Sequence, residues 1–283
     1  MLITSELANR LESAEALHLT RQVQVCAQIR PELGAHAVHA AGGVAAFTTG
    51  EYGRKLNHVT GFGLGVSATE NDLIALENTY AKIRLATEID LCPFVNDDVL
   101  KLLAARNYAV NAFSNTYVTA ISSIGANSSA DPKIKIDRTS PADGEDFFAT
   151  SIAGFANQRS DRPAALIEIL ARIAIARKES RRYVARIDGQ IAGSAGLALL
   201  NLPDGPVAYL YIASTLPTYR GRGVQQALIQ ARLVDAWRAG FEIAGITART
   251  NTASARNAAR TGFALAYTKA SFALRLAGSA TEK

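Results

Sequence analysis

Residues Val207–Gln226 read VAYLYIASTLPTYRGRGVQQ. An apolar run ends at Pro217, the chain passes Arg220-Gly221-Arg222-Gly223, and an amphipathic helix starts at once. The two glycines let the backbone turn tightly and bring amide N–H groups close to a ligand. The helix start adds unpaired N–H groups and the positive end of a dipole. Arg220 and Arg222 add cationic charge, so the segment predicts an anion cradle suited to a pyrophosphate. It has neither the Lys-Ser/Thr of a P-loop nor the GxGxxG of a dinucleotide fold. Taken alone, RGRG also fits an ordinary Arg/Gly surface turn.

Working outward from this loop, Ile134–Arg138 reads as a short strand, and Pro141–Asn157 and Arg162–Lys178 read as helices. Tyr183–Ile187 and Gln190–Leu200 flank Asp188-Gly189, a strong hairpin signal. Val207–Thr215 predicts a strand, Val224–Ala239 a helix, Ile243–Thr247 a strand, Ala253–Thr261 a helix and Phe263–Leu274 a last strand. That order is a mixed α/β (α+β) architecture, with helices on a largely antiparallel sheet.

Upstream, Asn127–Lys133 is polar, turn-rich and carries a proline, and it predicts a linker. Before it, Ser5–Ile29 reads as one or two helices, with Gly43–Thr48 and His58–Val66 as strands. Glu70–Ile83 predicts a helix, Thr87–Cys92 a strand, Asp97–Arg106 a helix and Tyr108–Ile121 a long strand. Ala104–Val110 resembles Ala258–Leu265, and each runs from a helix end into an aromatic-rich strand. Motif and element order together predict an internal duplication.

The chain has 283 residues, 48% hydrophobic and 19% charged, enough to bury a core and too ordered in composition for wholesale disorder. Cys26 and Cys92 are too few for a disulfide framework or a cysteine-built metal site. The acidic start lacks a signal peptide's apolar region, and no stretch reads as a membrane helix. These features predict a cytoplasmic protein. Residues 1–132 carry a net charge of −4 and residues 133–283 a net charge of +9. The basic half suits a phosphate-rich ligand. The acidic half argues against a simple nucleic-acid module.

Arg220-x-x-Gly223 after the strand, followed by Asn251…Ser254…Asn257…Gly262-Phe263, resembles the GNAT acetyltransferase superfamily over roughly residues 133–275. The whole resembles a tandem GNAT protein whose front copy is degenerate. The resemblance implies two GNAT-like domains: 1–126 without a cofactor loop, a linker at 127–133, a catalytic domain at 134–277 and a tail at 278–283. It also implies an acetyl-CoA site in a V-shaped gap between Val207–Thr215 and Ile243–Thr247. Amides at Thr215 and Leu216 would hold the acetyl carbonyl and pantetheine arm. Those of Arg222, Gly223, Val224, Gln225 and Gln226 would hold the pyrophosphate, with Arg220 and Gly221 also binding the cofactor in this loop and Asn251 and Asn257 beside the pantetheine. The acceptor would be a primary amine of a small molecule, taken without a covalent enzyme intermediate by a monomer or homodimer. The alternative is a non-catalytic acyl-CoA or small-molecule sensor.

Three positions depart from the family pattern. Gln225 stands where Gly or Ala is usual. Tyr211 occupies the position of a frequent glutamate base, and Ala258 that of a frequent tyrosine acid. Tyr211 is therefore the candidate acid or water anchor, with Tyr267 and Ser214 behind it. In the front copy, Glu70 and Asp72 put negative charge where a pyrophosphate would sit. Glu88 and Asp90, two apart on a strand, share a face and could bind a cationic amine. Gly61-x-Gly63-x-Gly65 reads as close packing inside a strand. His36 and His39 could share a helix face, but no further ligand completes a metal set. Arg177–Arg182 reads as a solvated helix end.

Overall fold

The computed structural model describes residues 3–121, 133–140, 143–156 and 163–275. In chain order the elements are α1 (Ser5–Ile29), β1 (His36–Ala40), β2 (Gly43–Phe47), β3 (Val59–Thr60), α2 (Glu70–Lys82), β4 (Glu88–Leu91), α3 (Asp97–Ala105) and β5 (Tyr108–Ala120). Then follow β6 (Ile134–Arg138), α4 (Gly144–Ala156), α5 (Ala164–Ala176), β7 (Ser180–Ile187), β8 (Gln190–Leu200) and β9 (Val207–Thr215). The chain closes with α6 (Val224–Arg238), β10 (Ile243–Arg249), α7 (Ala253–Arg260) and β11 (Ala264–Leu274).

These elements form two compact units, Leu2–Ser114 with Tyr267–Lys283, and Asn115–Ala266. The chain therefore does not divide at the expected 126/134 boundary. The first half of β5 belongs to the N-terminal unit and its second half to the C-terminal unit, while most of β11 returns to the N-terminal unit. The expected linker lies outside the described residues except for Lys133, as does the expected tail.

In the N-terminal unit the strand order is β1-β2-β3-β4-β11-β5. β2 and β3 are antiparallel, β3 and β4 parallel, and β11 is antiparallel to β4. Phe47, Phe62, Leu73, Tyr80, Ile89 and Leu103 form its apolar core, drawn from the strands, α2 and α3. α2 places Leu73, Leu76 and Tyr80 inward at helical spacing.

Its second buried layer is ionic. Tyr267, Lys269 and Ser271 alternate along β11 and so point the same way. Lys269 is fully buried, with Nζ 3.3 Å from Glu12 Oε1 and 2.9 Å from Glu15 Oε2 on α1. Tyr267 donates to Glu12 at 2.8 Å, and Ser271 donates to Asp90 at 2.5 Å. Arg54 also binds Asp90, and its Nε lies 2.9 Å from Glu88. Burial alone would raise the Asp90 carboxyl. Arg54, His58, Lys269 and Ser271 outweigh it and hold the group at about 2. Burial opposes the charge of Lys269 too, yet the two glutamates hold its proton well above the usual lysine range.

Three local expectations differ from the structure. β3 ends at Thr60 because Gly61, Gly63 and Gly65 take φ of 73°, 72° and 73°, left-handed values that leave the ladder. Close packing does hold at Gly63, where a Cβ would lie 2.6 Å from Val99. His36 and His39 sit on β1, where a spacing of three puts them on opposite faces. The Arg177–Arg182 run is not solvated at its ends: Arg177 and Arg182 are buried, the first paired with Glu179 and the second donating to the Ala174 and Ile175 carbonyls at the end of α5.

In the C-terminal unit the order is β5-β10-β9-β8-β7-β6. β6 to β9 are antiparallel neighbours, and β9 and β10 are parallel. Leu197, Leu210, Leu228, Ile229, Leu233 and Phe263 anchor the core beneath α6 and α7. β3/β4 and β9/β10 repeat one pattern: a parallel pair joined through a helix, with only two residues in register on each strand.

Lys269→Met leaves two buried carboxylates without their cation, and urea unfolding at pH 7 is expected to give a loss of about 3–5 kcal/mol. Asp90 stabilises the fold above its unfolded pKa, and that contribution is lost as pH falls through about 2. Acid titration of Asp90→Asn should therefore lack this last acid-induced loss.

Candidate functional site

The site is built on a strand pair that stops pairing. β9 and β10 are in register only at Ala208↔Ala244 and Tyr209↔Gly245. On its other side β9 carries a bulge: Gly196 of β8 faces Tyr211, but Ser194 already faces Ser214, so β9 holds one extra residue. Ile212 takes a φ of 44° there, a costly conformation for a β-branched residue. A bulge bends and twists its strand. The end of β9 consequently leaves β10 and opens a gap between the two.

The chain then makes a short helical turn at Pro217–Tyr219 and passes through Gly221 and Gly223, whose φ values are 77° and 81°. Gly223 is the N-cap of α6, with no side chain capping it and no acidic residue in the first turn. The first helical bond is Ala227 N–H to Gly223 O, at 3.0 Å. The N–H groups of Val224, Gln225 and Gln226 thus have no acceptor within the helix. Arg222 is exposed and lies over the Tyr219 ring at 5.5 Å, and Arg220 reaches the Gly154 carbonyl at 3.5 Å. Open amides and two cationic residues thus lie within one short segment, a composition that can hold a multiply charged anion.

The equivalent helix start in the N-terminal unit is closed. Thr69 accepts from Asp72 N–H, and the Asp72 carboxylate takes the Thr69 N–H at 2.8 Å, a complete capping box. Glu70 is engaged with Arg106 at 2.7 Å.

The other candidate residues scatter. The Leu216 amide already donates to the Ala192 carbonyl at 2.9 Å, so it is spent on the sheet and cannot serve a ligand carbonyl. Thr215 is buried, and its Oγ1 accepts from Gln225 Nε2 at 2.8 Å. Gln225 therefore leans onto β9 and away from the helix-start amides. Asn251 is exposed with a φ of 54°, just ahead of the α7 cap Thr252, and Asn257 is half-buried on α7. Ala258 is fully buried.

Tyr211 lies across Gly196, where a Cβ would come within 2.8 Å of the ring, and its hydroxyl meets Ser180 on β7. That hydroxyl is two strands from the β9–β10 gap. Burial raises its pKa against the pull of Arg177, whose guanidinium lies 5.5 Å over the ring, so it remains a protonated phenol at neutral pH. Ser214 is buried and bonded to the Thr150 carbonyl, and Tyr267 is bonded to Glu12 in the N-terminal unit. Glu88 and Asp90 do share a face, but Arg54 already binds both, so neither is free for an amine. Glu15, His58 and Asp90 bring potential metal-ligand atoms within 4.8 Å of one another. Lys269 on Glu15 and Arg54 on Asp90 already supply the positive charge there.

The sequence left the bulge unread. Positive φ is usually signalled by Gly or Asn, and Ile212 carries no such mark. The Ser180–Tyr211–Arg177 cluster joins positions far apart in the chain, and no local pattern points to it.

The model of the Acetyltransferase (GNAT) family matches residues 146–263, spanning the bulged strand, the glycine loop, α6 and α7. The chain carries a GNAT acetyltransferase domain. A GCN5-related N-acetyltransferase from Kribbella flavida has the same fold at 13% identity, with a TM-score of 0.61 over 92% of this chain and 95% of that one. Another from Sphaerobacter thermophilus gives a TM-score of 0.57 at 13% identity, over 86% of this chain and 76% of that one. A tandem GNAT protein from the clavulanic acid biosynthesis pathway gives 0.57 at 12% identity, over 82% and 77%. These likenesses run well beyond the GNAT domain into the N-terminal unit. No curated protein matches the sequence significantly. Among the described residues no helix is long and apolar enough to cross a membrane.

Gly223→Glu puts a carboxylate and a strained φ at the uncapped helix start. Its secondary structure by circular dichroism should match the wild type, while coenzyme A binding by calorimetry should be lost. Retained binding would remove the anion-cradle assignment.

Proposed function

We propose that the C-terminal unit is an acetyl-CoA-dependent N-acetyltransferase that transfers acetyl directly to a primary amine of a small molecule. The observation that carries this is the uncapped start of α6 behind two left-handed glycines, at the open end of a parallel strand pair. The amides of Arg222 through Gln226 would bind the diphosphate, with Arg220 and Arg222 adding charge. The gap beside β9 would take the pantetheine arm, with Asn251 and Asn257 along it. The N-terminal unit would bind no coenzyme A, because its equivalent amides are satisfied by Thr69 and Asp72.

Direct transfer needs the amine to lose a proton and the leaving sulfur to gain one. Among the described residues, β9 and β10 carry no carboxylate, and the β9 tyrosines are bonded elsewhere, Tyr209 to Thr247 and Tyr211 to Ser180. Most of the acceleration would then come from orientation of the two reactants, with a reactive amine deprotonated by solvent. The buried Cys26 and Cys92 thiols, both pushed up by burial, suit a mechanism without an acyl-enzyme.

The same shortage of acid and base favours a second reading, a GNAT fold that senses acyl-CoA without turnover. A thiol-release assay with acetyl-CoA and a panel of small amines separates them. Turnover with at least one amine is expected, whereas coenzyme A binding with no turnover on any amine would make the protein a sensor. Tyr211→Phe removes only the hydroxyl held by Ser180. Because that hydroxyl lies two strands from the gap, an unchanged kcat is expected, and a fall in kcat with unchanged acetyl-CoA affinity would restore Tyr211 as the proton donor.

A further inference from the structure

Arg232 lies in the third turn of α6 and is fully buried. Among the described residues no carboxylate pairs with it. Nε donates to Leu228 O at 2.9 Å, Nη1 donates to Gly196 O at 3.1 Å, and Nη2 has no acceptor. Burial lowers its pKa to about 10, with only Tyr183 pulling the other way. A buried charge without a counter-ion is costly, and an apolar side chain of similar volume would usually fill such a place at less cost. Its presence therefore points to something that packing does not supply.

What packing does not supply here is direction. α6 meets the sheet through Ala227, Leu228, Ile229, Leu233 and Ala236. Apolar contact is non-directional and leaves the helix free to slide or roll by small amounts. Near the end of α6, Asp235 accepts from Tyr183 at 2.7 Å and, through its backbone carbonyl, from Arg181 at 2.9 Å, both on β7. Two more side-chain bonds cross this interface nearer the helix start. Gln225 Nε2 reaches Thr215 Oγ1 at the helix start, and Arg232 Nη1 reaches the Gly196 carbonyl two turns on. Both land beside the bulge. Gly196 faces Tyr211, the residue before Ile212, and Thr215 follows Ser214, where pairing resumes. α6 is thus tied to β9 just past the bulge and to β8 opposite its near end.

We propose that Arg232 is a positioning residue for the cofactor cleft: it holds the α6 amides in register with the β9 bulge and so sets acyl-CoA affinity without touching the ligand. The inference rests on the acyl-CoA reading of that cleft.

Arg232→Met and Arg232→Lys test it in the full chain. Hydrogen–deuterium exchange on the ligand-free protein should be at least tenfold faster in peptides covering Tyr209–Leu216 of Arg232→Met, with Tm unchanged or raised. Calorimetry should give an acetyl-CoA Kd at least tenfold weaker. Arg232→Lys, which keeps the charge and one donor, should recover part of both, and it carries the test if the methionine variant does not fold. Wild-type exchange and Kd in the variants would overturn the inference, as would a lowered Tm with unchanged Kd, which is the signature of a purely structural residue. A flat titration of the wild type with acetyl-CoA would instead overturn the acyl-CoA reading. The exchange data would still decide whether Arg232 holds the bulge.

Discussion

Every α-helix begins with N–H groups that its own backbone cannot satisfy, and this protein treats that constraint in opposite ways at two equivalent places. At α2 the residues Thr69 and Asp72 close the end with a reciprocal cap. At α6 a left-handed glycine stands where the capping side chain would be, and the amides stay open beside two arginines. The rest of the C-terminal unit follows from keeping that end accessible. The strand before it must turn away from its parallel neighbour, hence the bulge at Ile212 and the strained φ it carries. The helix itself is tied to the sheet by polar bonds from Gln225, Arg232 and Asp235, set among apolar contacts.

The two units share a topology but spend their buried polar groups differently. In the N-terminal unit they form a compensated ionic layer, Glu12 and Glu15 on Lys269, and Glu88 and Asp90 on Arg54. Such pairs contribute little net stability against an apolar alternative, but they penalise any shift of register strongly. The placement on β11 fits that role, because this strand comes from the far end of the chain. A one-residue slip would take Lys269 off its glutamates and bury an apolar neighbour against them. In the C-terminal unit the buried arginines are tied mostly to carbonyls: Arg182 closes the α5 end and Arg232 reaches β8.

Much of this was legible in the chain itself. The hairpin at Asp188-Gly189, the limits of β8 and β9, the start of α6 and the recurring order of elements all follow from turn residues and periodicity, which are local signals. The glycine loop was legible for the same reason, since Gly221 and Gly223 are needed where φ is positive. Local signals failed where a residue's role depends on a distant partner. Glu88 and Asp90 look like an open acidic face until Arg54 is placed on them. Tyr211 looks like a cleft residue until its ring is seen lying over Gly196 towards Ser180. Leu216 looks like a free amide until β8 supplies Ala192. The run of glycines after Thr60 alternates like a strand, yet its left-handed φ values end one.

The order of elements, the glycine loop and the resemblance to a family were thus determined by the sequence alone, because each depends on preferences that neighbouring residues impose. Which donors remain open, which charges are already paired and where the chain divides into units were decided only in three dimensions. Those properties depend on partners brought together from remote parts of the chain, as β11 is brought to β4 and Arg232 to Gly196. A polar group is free or spent according to what folding places against it, and no stretch of neighbouring residues encodes that by itself.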